Sequence, residues 1–155
     1  MNTLLKRQVV LYTSLGKTMA TVEIVCEDKE NIENPKYQIS LIYDGVEYVG
    51  NGTDFLFIDA LSDLERKLPK DIKIACCMTC RHGNMCPYGN EADILFCTKD
   101  LSITSKEDII SLFDETNPYK ERMVASFDFC EDFSFQCDDY YTYNDYLYWL
   151  QRNNK

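Results

Sequence analysis

The chain of 155 residues carries 26 acidic and 16 basic residues and has a formal net charge of −10. So acidic a surface repels nucleic-acid backbones and anionic membranes, and we expect neither as a partner. Apolar residues make up 45% of the chain and charged residues 27%, which is typical of a globular protein. No apolar run reaches the length of about 18 residues that a membrane span needs.

The N-terminal region lacks the long apolar core and the cleavage site of a signal peptide, so we expect the protein in the cytoplasm. The eight cysteines should then be reduced. Clustered reduced cysteines favour a metal site over disulfides.

Alternating apolar residues and turn signals predict an antiparallel β-meander with strands at 8–13, 20–26, 37–43 and 46–49. Asp44-Gly45 is the hairpin turn between the last two strands. Apolar residues then recur with helical spacing over 57–68, and Pro69 ends this amphipathic helix. We expect the helix to cover the apolar face of the meander.

The second half is predicted to contain strands at 72–76, 92–97 and 124–129. Ser105 is expected to cap a short helix, with Asp108 in the acidic position of a capping box. Asn144 is expected to cap a final helix over 144–152. The predicted fold class is α+β, in a single domain 1–155. Residues 1–70 form the meander and its helix, and residues 71–155 form a cysteine-rich, zinc-stapled half.

Five of the eight cysteines fall between positions 76 and 97: Cys76, Cys77, Cys80, Cys86 and Cys97. The two thiolates of a Cys-x-x-Cys pair reach one ion from a tight turn, and two later cysteines complete a tetrahedral shell. Strand alternation points Cys76 and Cys77 in opposite directions, so we expect only one of them to be a ligand. Cys26, alone in its strand, is expected to be a core residue.

Two ligand sets have the same chemistry. Local spacing gives Cys77, Cys80, Cys86 and Cys97, whereas the second set replaces Cys86 with the distant Cys130. Four thiolates leave no open coordination position, which is typical of structural rather than catalytic zinc. An iron–sulfur cluster and free thiols without metal are the alternatives.

Part of this pattern resembles a group of small, uncharacterised bacterial proteins. The resemblance covers roughly residues 74–135 and lies in Cys77-x-x-Cys80, Pro87-Tyr88-Gly89, Phe96-Cys97 and Cys130-Glu131-Asp132-Phe133. The resemblance implies that Cys130 is the last metal ligand. It gives no function that could be transferred to this chain. A link to Cys130 also closes a longer loop, which constrains the unfolded chain more. We therefore expect zinc on Cys77, Cys80, Cys97 and Cys130, with Cys86 as the alternative fourth ligand.

The usual catalytic motifs are missing, among them the Gly-x-Ser-x-Gly elbow, the phosphate-binding loop and His-Glu-x-x-His. We therefore expect a protein that is not an enzyme. The alternative is an enzyme of unknown reaction with a cleft near His82, the only histidine. Arg81 is expected to hydrogen-bond metal-bound sulfur and to offset thiolate charge.

No Lys or Arg occurs from Met123 to Gln151, where acidic and aromatic residues alternate. This pattern predicts a surface that binds a basic protein, because carboxylates steer the encounter and tyrosines anchor it. Toxin immunity proteins and nuclease inhibitors are analogous, because they are small acidic proteins that neutralise a nucleic-acid-binding target. The alternative is a core of aromatic residues with a solvated acidic face, in a zinc-stabilised domain with no binding role at this end. The predicted partner-binding residues are Asp138, Asp139, Tyr140, Tyr141, Tyr143 and Asp145.

Overall fold

The protein has an α+β fold with antiparallel sheets in the computed structural model, which describes residues 2–26 and 35–152. The sequence-based prediction of this fold class is confirmed. The strands are β1 Asn2–Thr13, β2 Gly16–Cys26, β3 Tyr37–Tyr43, β4 Val46–Gly52, β5 Lys73–Ala75, β6 Gly83–Asn84, β7 Ile94–Cys97 and β8 Met123–Ala125. The helices are α1 Ile58–Lys67, α2 Lys106–Ser111 and α3 Tyr146–Arg152, and a 3-10 turn spans Tyr119–Arg122.

These elements divide into two compact units. The first is drawn from Met1–Ile74 and Asp145–Lys155, and the second is Ala75–Asn144. The second unit contains the cysteine-rich segment, whereas α3, at the end of the acidic aromatic stretch, belongs to the first. No helix within residues 2–26 and 35–152 has the length and apolar character needed to cross a membrane.

The first unit is built on the predicted meander, which extends to a five-stranded sheet in the order β4-β3-β2-β1-β5. Its buried face is formed by cross-strand pairs such as Val22 with Leu41 and Ile24 with Ile39. Cys26, which is 8% exposed, lies on the same face of β2 and belongs to the core, as predicted. These alternating residues form the apolar surface on which a helix can pack.

The predicted amphipathic helix α1 packs against β3 and β4. Its backbone approaches β4 so closely that a Cβ on Gly50 would lie 2.2 Å from the carbonyl oxygen of Ala60. Helix α3 packs in turn on α1, where the Arg66 guanidinium donates to the carbonyl oxygen of Trp149. Helix α1 therefore lies against the sheet, as the periodicity of its apolar residues predicts.

The second unit contains a small three-stranded sheet in the order β6-β7-β8. Ser105 caps α2 by accepting a hydrogen bond from the Asp108 amide, which confirms the predicted cap. The predicted strand 124–129 is wrong beyond Ala125. The Asp128 amide donates to the Ala125 carbonyl and its carboxylate accepts from the Ala125 amide, so the chain turns there.

Candidate metal centre

The Cys-x-x-Cys segment folds into a tight turn. The Thr79 amide donates to the Cys76 carbonyl oxygen at 3.1 Å, and the Cys80 amide donates to the Cys77 carbonyl oxygen at 3.3 Å. Gly83 lies against this turn, where an added Cβ would be 1.9 Å from the Cys77 carbonyl oxygen. Only glycine fits at this distance, so Gly83 allows β6 to begin directly under the turn.

Cys76 and Cys77 have different surroundings. Cys76 is fully buried, and its amide donates to Thr79 Oγ1 at 3.1 Å. Cys77 is only partly buried and lines a cavity that it shares with other cysteines. Of the two, Cys77 is therefore the candidate ligand, and the expectation that only one of them binds metal stays a prediction.

Four cysteines line one small cavity of about 20 Å³, which has room for a single small ion or water molecule. They are Cys77, Cys80, Cys97 and Cys130. Three separate segments provide them: the Cys-x-x-Cys turn, the end of β7, and the chain that follows β8. His82 and Gly83 line the same cavity.

Cys86 lines a different cavity of about 410 Å³, whose wall includes the aromatic rings of Tyr88, Phe96, Phe113 and Tyr119. Its backbone amide donates to Asn90 Oδ1 at 2.8 Å. Of the two ligand sets that the sequence leaves open, the fold therefore brings together the one that contains Cys130.

The thiols of this cavity are within electrostatic reach of one another. Burial, reinforced by the negative charges that Cys76, Cys80, Asp128 and Cys97 can carry, raises the pKa of Cys77 far above its usual value. Burial also raises the pKa of Cys80, although hydrogen bonds from the backbone at Ser134 and His82 lower it in part. Burial therefore favours the neutral thiol at Cys77 and Cys80, and neighbouring thiolates add to this effect because they repel one another.

Two basic side chains stand beside the cysteines. Lys99 lines the cavity, pairs with Asp132 at 3.1 Å, and has its pKa raised by Asp132 first and then by Cys130 and Cys97. The Arg122 guanidinium donates to the Cys97 carbonyl oxygen at 3.2 Å and to both carboxylate oxygens of Asp100. Positive charge next to a thiolate cluster offsets part of its repulsion.

The cysteines share a cavity, but they do not form an assembled coordination shell. Within residues 2–26 and 35–152, no group of three or more His, Cys, Asp or Glu side chains stands ready to hold a metal ion. All eight cysteines are free thiols. The predicted zinc therefore stays a prediction.

Arg81 and His82 follow the Cys-x-x-Cys pair and have different surroundings. Arg81 was expected to donate to metal-bound sulfur, but its guanidinium donates to Cys137 Sγ at 3.6 Å and stacks over the Tyr140 ring. An isolated β-bridge between Cys80 and Phe135 places Arg81 beside the segment that contains Cys137, where Arg81 Nε also donates to the Phe135 carbonyl oxygen. The expected bond from Arg81 to metal-bound sulfur stays a prediction. Burial, with help from Arg81, lowers the pKa of His82.

The predicted partner-binding residues fall into two groups. Asp138 and Asp139 are exposed, whereas Tyr140, Tyr141 and Tyr143 are half-buried. The Tyr140 ring packs edge-to-face on His82 at 5.5 Å, and the Lys106 ammonium lies 5.4 Å from the centre of the Tyr143 ring. Asp145 is exposed and belongs to the first unit.

Two buried asparagines form hydrogen bonds that stabilise the backbone around the candidate metal centre, a role that the sequence does not predict. Asn84 accepts from the Tyr143 amide at 2.8 Å and donates to Thr98 Oγ1 at 2.9 Å. Asn144 donates to the carbonyl oxygens of Met78 and Gly83 at 2.9 and 3.0 Å. These bonds use the side-chain nitrogen of Asn144 and hold the cysteine turn. The expected cap of Asn144 on the last helix stays a prediction. Asparagines just after glycine or at a predicted helix start are weak signals for such bracing.

Comparisons with known proteins give no match. No protein-family model matches the chain, and no curated protein or solved structure is significantly similar to it. The resemblance to a group of small bacterial proteins therefore stays a prediction.

We predict that Asn144→Ala lowers the free energy of unfolding by about 1–3 kcal/mol, because it removes two hydrogen bonds from a buried amide to the carbonyl oxygens of Met78 and Gly83. Urea denaturation followed by fluorescence measures this change. Asn117→Ala is the matched control, because Asn117 is exposed and its side-chain amide donates to the Ser111 carbonyl oxygen. Asn117→Ala should lower the free energy of unfolding by about 0.5 kcal/mol at most, as is typical of substitutions at the surface. An equal loss of unfolding free energy in the two variants would contradict the role that we assign to Asn144.

Proposed function

We propose that this is a non-catalytic cytoplasmic protein that holds one zinc ion on Cys77, Cys80, Cys97 and Cys130 and acts by binding a basic protein. The observation that carries the metal assignment is the shared cavity: four thiols from three chain segments line a space of about 20 Å³. Zinc with four thiolates at tetrahedral geometry is the usual form of a structural site.

The electrostatics of the cysteines support a cation between them. Burial first, and then the charge of neighbouring thiolates, raises the pKa of Cys77 and Cys80, and a dication beside the sulfurs would favour the thiolate form. Cys77, Cys80, Cys97 and Cys130 would hold such an ion as thiolates. Because the ligands come from distant segments, metal binding and folding of the second unit are coupled.

A single ion fits this space better than a cluster. A cavity of about 20 Å³ accepts one small ion, whereas an iron–sulfur cluster brings several iron and sulfide atoms. A complete thiolate shell leaves no position for a substrate, which supports a structural role. The metal would hold the cysteine turn, β7 and the segment after β8 in one arrangement.

The partner surface that we propose is centred on Asp138 and Asp139. Both are exposed, and they lie in a stretch without Lys or Arg in a chain with a net charge of −10. The rings of Tyr140 and Tyr143 already contact Arg81 and Lys106. Because both carboxylates are exposed, their charge would steer the approach of a basic partner.

Replacing any of the four cavity cysteines by serine should abolish zinc binding, because three thiolates and a hydroxyl hold zinc poorly. We expect one zinc per chain in protein purified without added metal, measured by elemental analysis, and almost none in Cys130→Ser. The same variants should unfold at lower denaturant concentration.

Cys86→Ser is the matched control, because Cys86 is half-buried but lines another cavity. It should keep the full zinc content. Loss of zinc in Cys86→Ser with retention in Cys130→Ser would show that the other ligand set is correct. A stable wild-type protein without any metal would refute the zinc proposal itself.

Reversing the charges of Asp138 and Asp139 to Lys should weaken binding of the basic partner and leave zinc content and folding unchanged. The association rate for the wild type should fall with added salt, because exposed charges act over a Debye length of about 8 Å at 0.15 M ionic strength. Affinity capture from the native host, followed by surface plasmon resonance with the recovered protein, measures both effects.

The matched control carries the same charge change at Glu91 and Glu115, two exposed acids of the same unit. If this control weakens binding as much as the Asp138 and Asp139 reversal, net charge rather than this surface determines the association. Failure to recover any basic partner would count against the binding function.

A further inference from the structure

The exposed, large apolar side chains of the second unit meet at one place. Within Ala75–Asn144, a range that the structure describes completely, they are Tyr88, which is 72% exposed, and Met123, which is 46% exposed. Both line the cavity of about 410 Å³ that Cys86 also lines, which we call the aromatic cavity. Exposed apolar side chains that lie together are typical of a binding site.

Strands β7 and β8 separate the aromatic cavity from the cavity of the proposed zinc site. Phe96 lines the aromatic cavity, whereas the next residue, Cys97, lines the other. Met123 and Val124 of β8 divide in the same way, and Met123 pairs with Phe96. Because successive side chains of a strand point to opposite faces, the two cavities lie on opposite sides of these strands. The aromatic cavity is therefore a site of its own.

Four aromatic rings form much of the wall of this cavity, and Phe113 is their common neighbour. Its ring centre lies 4.9 Å from that of Phe96, 5.1 Å from that of Tyr119 and 6.4 Å from that of Tyr88. The face of an aromatic ring attracts a cation. Several rings around one space are the usual form of a site for a methylated ammonium group.

A closed loop holds Tyr88 beside the other rings. The Cys86 amide donates to Asn90 Oδ1 at 2.8 Å, and the Gly89 amide donates to the Cys86 carbonyl oxygen at 3.4 Å. Gly89 has a φ of +140°, a conformation that favours glycine. The loop therefore keeps the Tyr88 ring at the cavity while most of its surface stays open to a ligand.

The wall of the aromatic cavity carries one charge of each sign. Glu91 provides a carboxylate and Lys120 an ammonium group, and both side chains are exposed. The Ile94 amide donates to the Glu91 carbonyl oxygen at 3.3 Å and closes the turn that carries Glu91. Lys120 would repel a simple cation, whereas a zwitterion can pair with both side chains.

The aromatic wall also favours an ammonium group without N–H donors. A primary ammonium has three donors, and each of them needs an acceptor when it leaves water. Ring faces do not provide such acceptors in sufficient number. A trimethylated ammonium has no donor to satisfy, and its methyl groups contact ring faces directly.

We propose that the aromatic cavity binds a small zwitterion that carries a trimethylated ammonium group and a carboxylate. The rings of Tyr88, Phe113 and Tyr119 contact the methyl groups, Glu91 offsets the positive charge, and Lys120 pairs with the carboxylate. The volume of about 410 Å³ lies in the range of about 300–1,000 Å³ that is usual for small-molecule sites. This activity goes beyond the proposed function and needs no metal ion.

Isothermal titration calorimetry tests the site with glycine betaine and with its homologue that has two further methylene groups. We expect at least one of them to bind with a Kd between about 10 μM and 1 mM. The compound 3,3-dimethylbutanoate has the shape of glycine betaine with a carbon atom in place of the charged nitrogen. It should bind about tenfold more weakly than the better zwitterion, because it lacks the cation that the rings attract.

Substitutions assign the roles of the wall residues. Tyr88→Ala should raise the Kd of the zwitterion about tenfold. Phe55→Ala is the matched control, because Phe55 is an aromatic residue that is 49% exposed and lies outside this cavity. Lys120→Gln should weaken the zwitterion several-fold and should not weaken choline, which has the same cation but no carboxylate. Glu91→Gln should weaken both.

Four results would overturn the proposal. They are the absence of binding by either zwitterion at millimolar concentration, equal affinity for 3,3-dimethylbutanoate, an equal effect of Phe55→Ala and Tyr88→Ala, and a loss of choline affinity in Lys120→Gln that matches the loss for the zwitterion. Equal affinity for 3,3-dimethylbutanoate would show that the cavity takes apolar groups without regard to charge. None of these results bears on the zinc content, so the proposed function is tested separately.

Discussion

The close contact between Gly83 and the carbonyl oxygen of Cys77 determines the shape of the candidate centre. A Cβ at this position would lie 1.9 Å from that oxygen, so no residue with a side chain fits. The contact places β6 directly beneath the cysteine turn. Because β6 pairs with β7 through Gly83 and Cys97, the same contact brings the third cysteine to the first two.

Cys130 reaches the same cavity by a different route. The amides of Cys77 and Met78 donate to the carbonyl oxygens of Asp128 and Ser126, so the chain after β8 runs alongside the cysteine turn. These backbone hydrogen bonds bring the segment that carries Cys130 to the cavity that Cys77, Cys80 and Cys97 also line.

Local signals in the sequence predict most of the fold. The alternation of Val22 and Ile24, the Asp44-Gly45 turn and the helical spacing around Leu64 depend on neighbours in the chain, and they give the meander and α1 correctly. Strand β8 ends at a local turn between Ala125 and Asp128, which the alternation of apolar residues does not reveal. The hydrogen bonds from Asn144 to Met78 and Gly83 join residues far apart in the chain, and periodicity cannot predict such partners.

In the candidate site, too, local signals in the sequence predict one part and distant partners determine the other. Cysteine spacing predicts the turn at Cys77 and Cys80, but spacing alone also favours Cys86, which lies close in sequence and lines another cavity. The choice of Cys130 needs the backbone pairing between the cysteine turn and the segment after β8. Likewise, a count of acidic and aromatic residues does not reveal that Arg81 covers the Tyr140 ring.

X-ray absorption at the zinc edge, on protein purified without added metal, tests the central claim most directly. The account predicts a single shell of four sulfur atoms at about 2.3 Å from zinc. That shell should persist in Cys86→Ser. A first shell that contains nitrogen or oxygen, a shell that changes in Cys86→Ser, or the absence of bound zinc would contradict it.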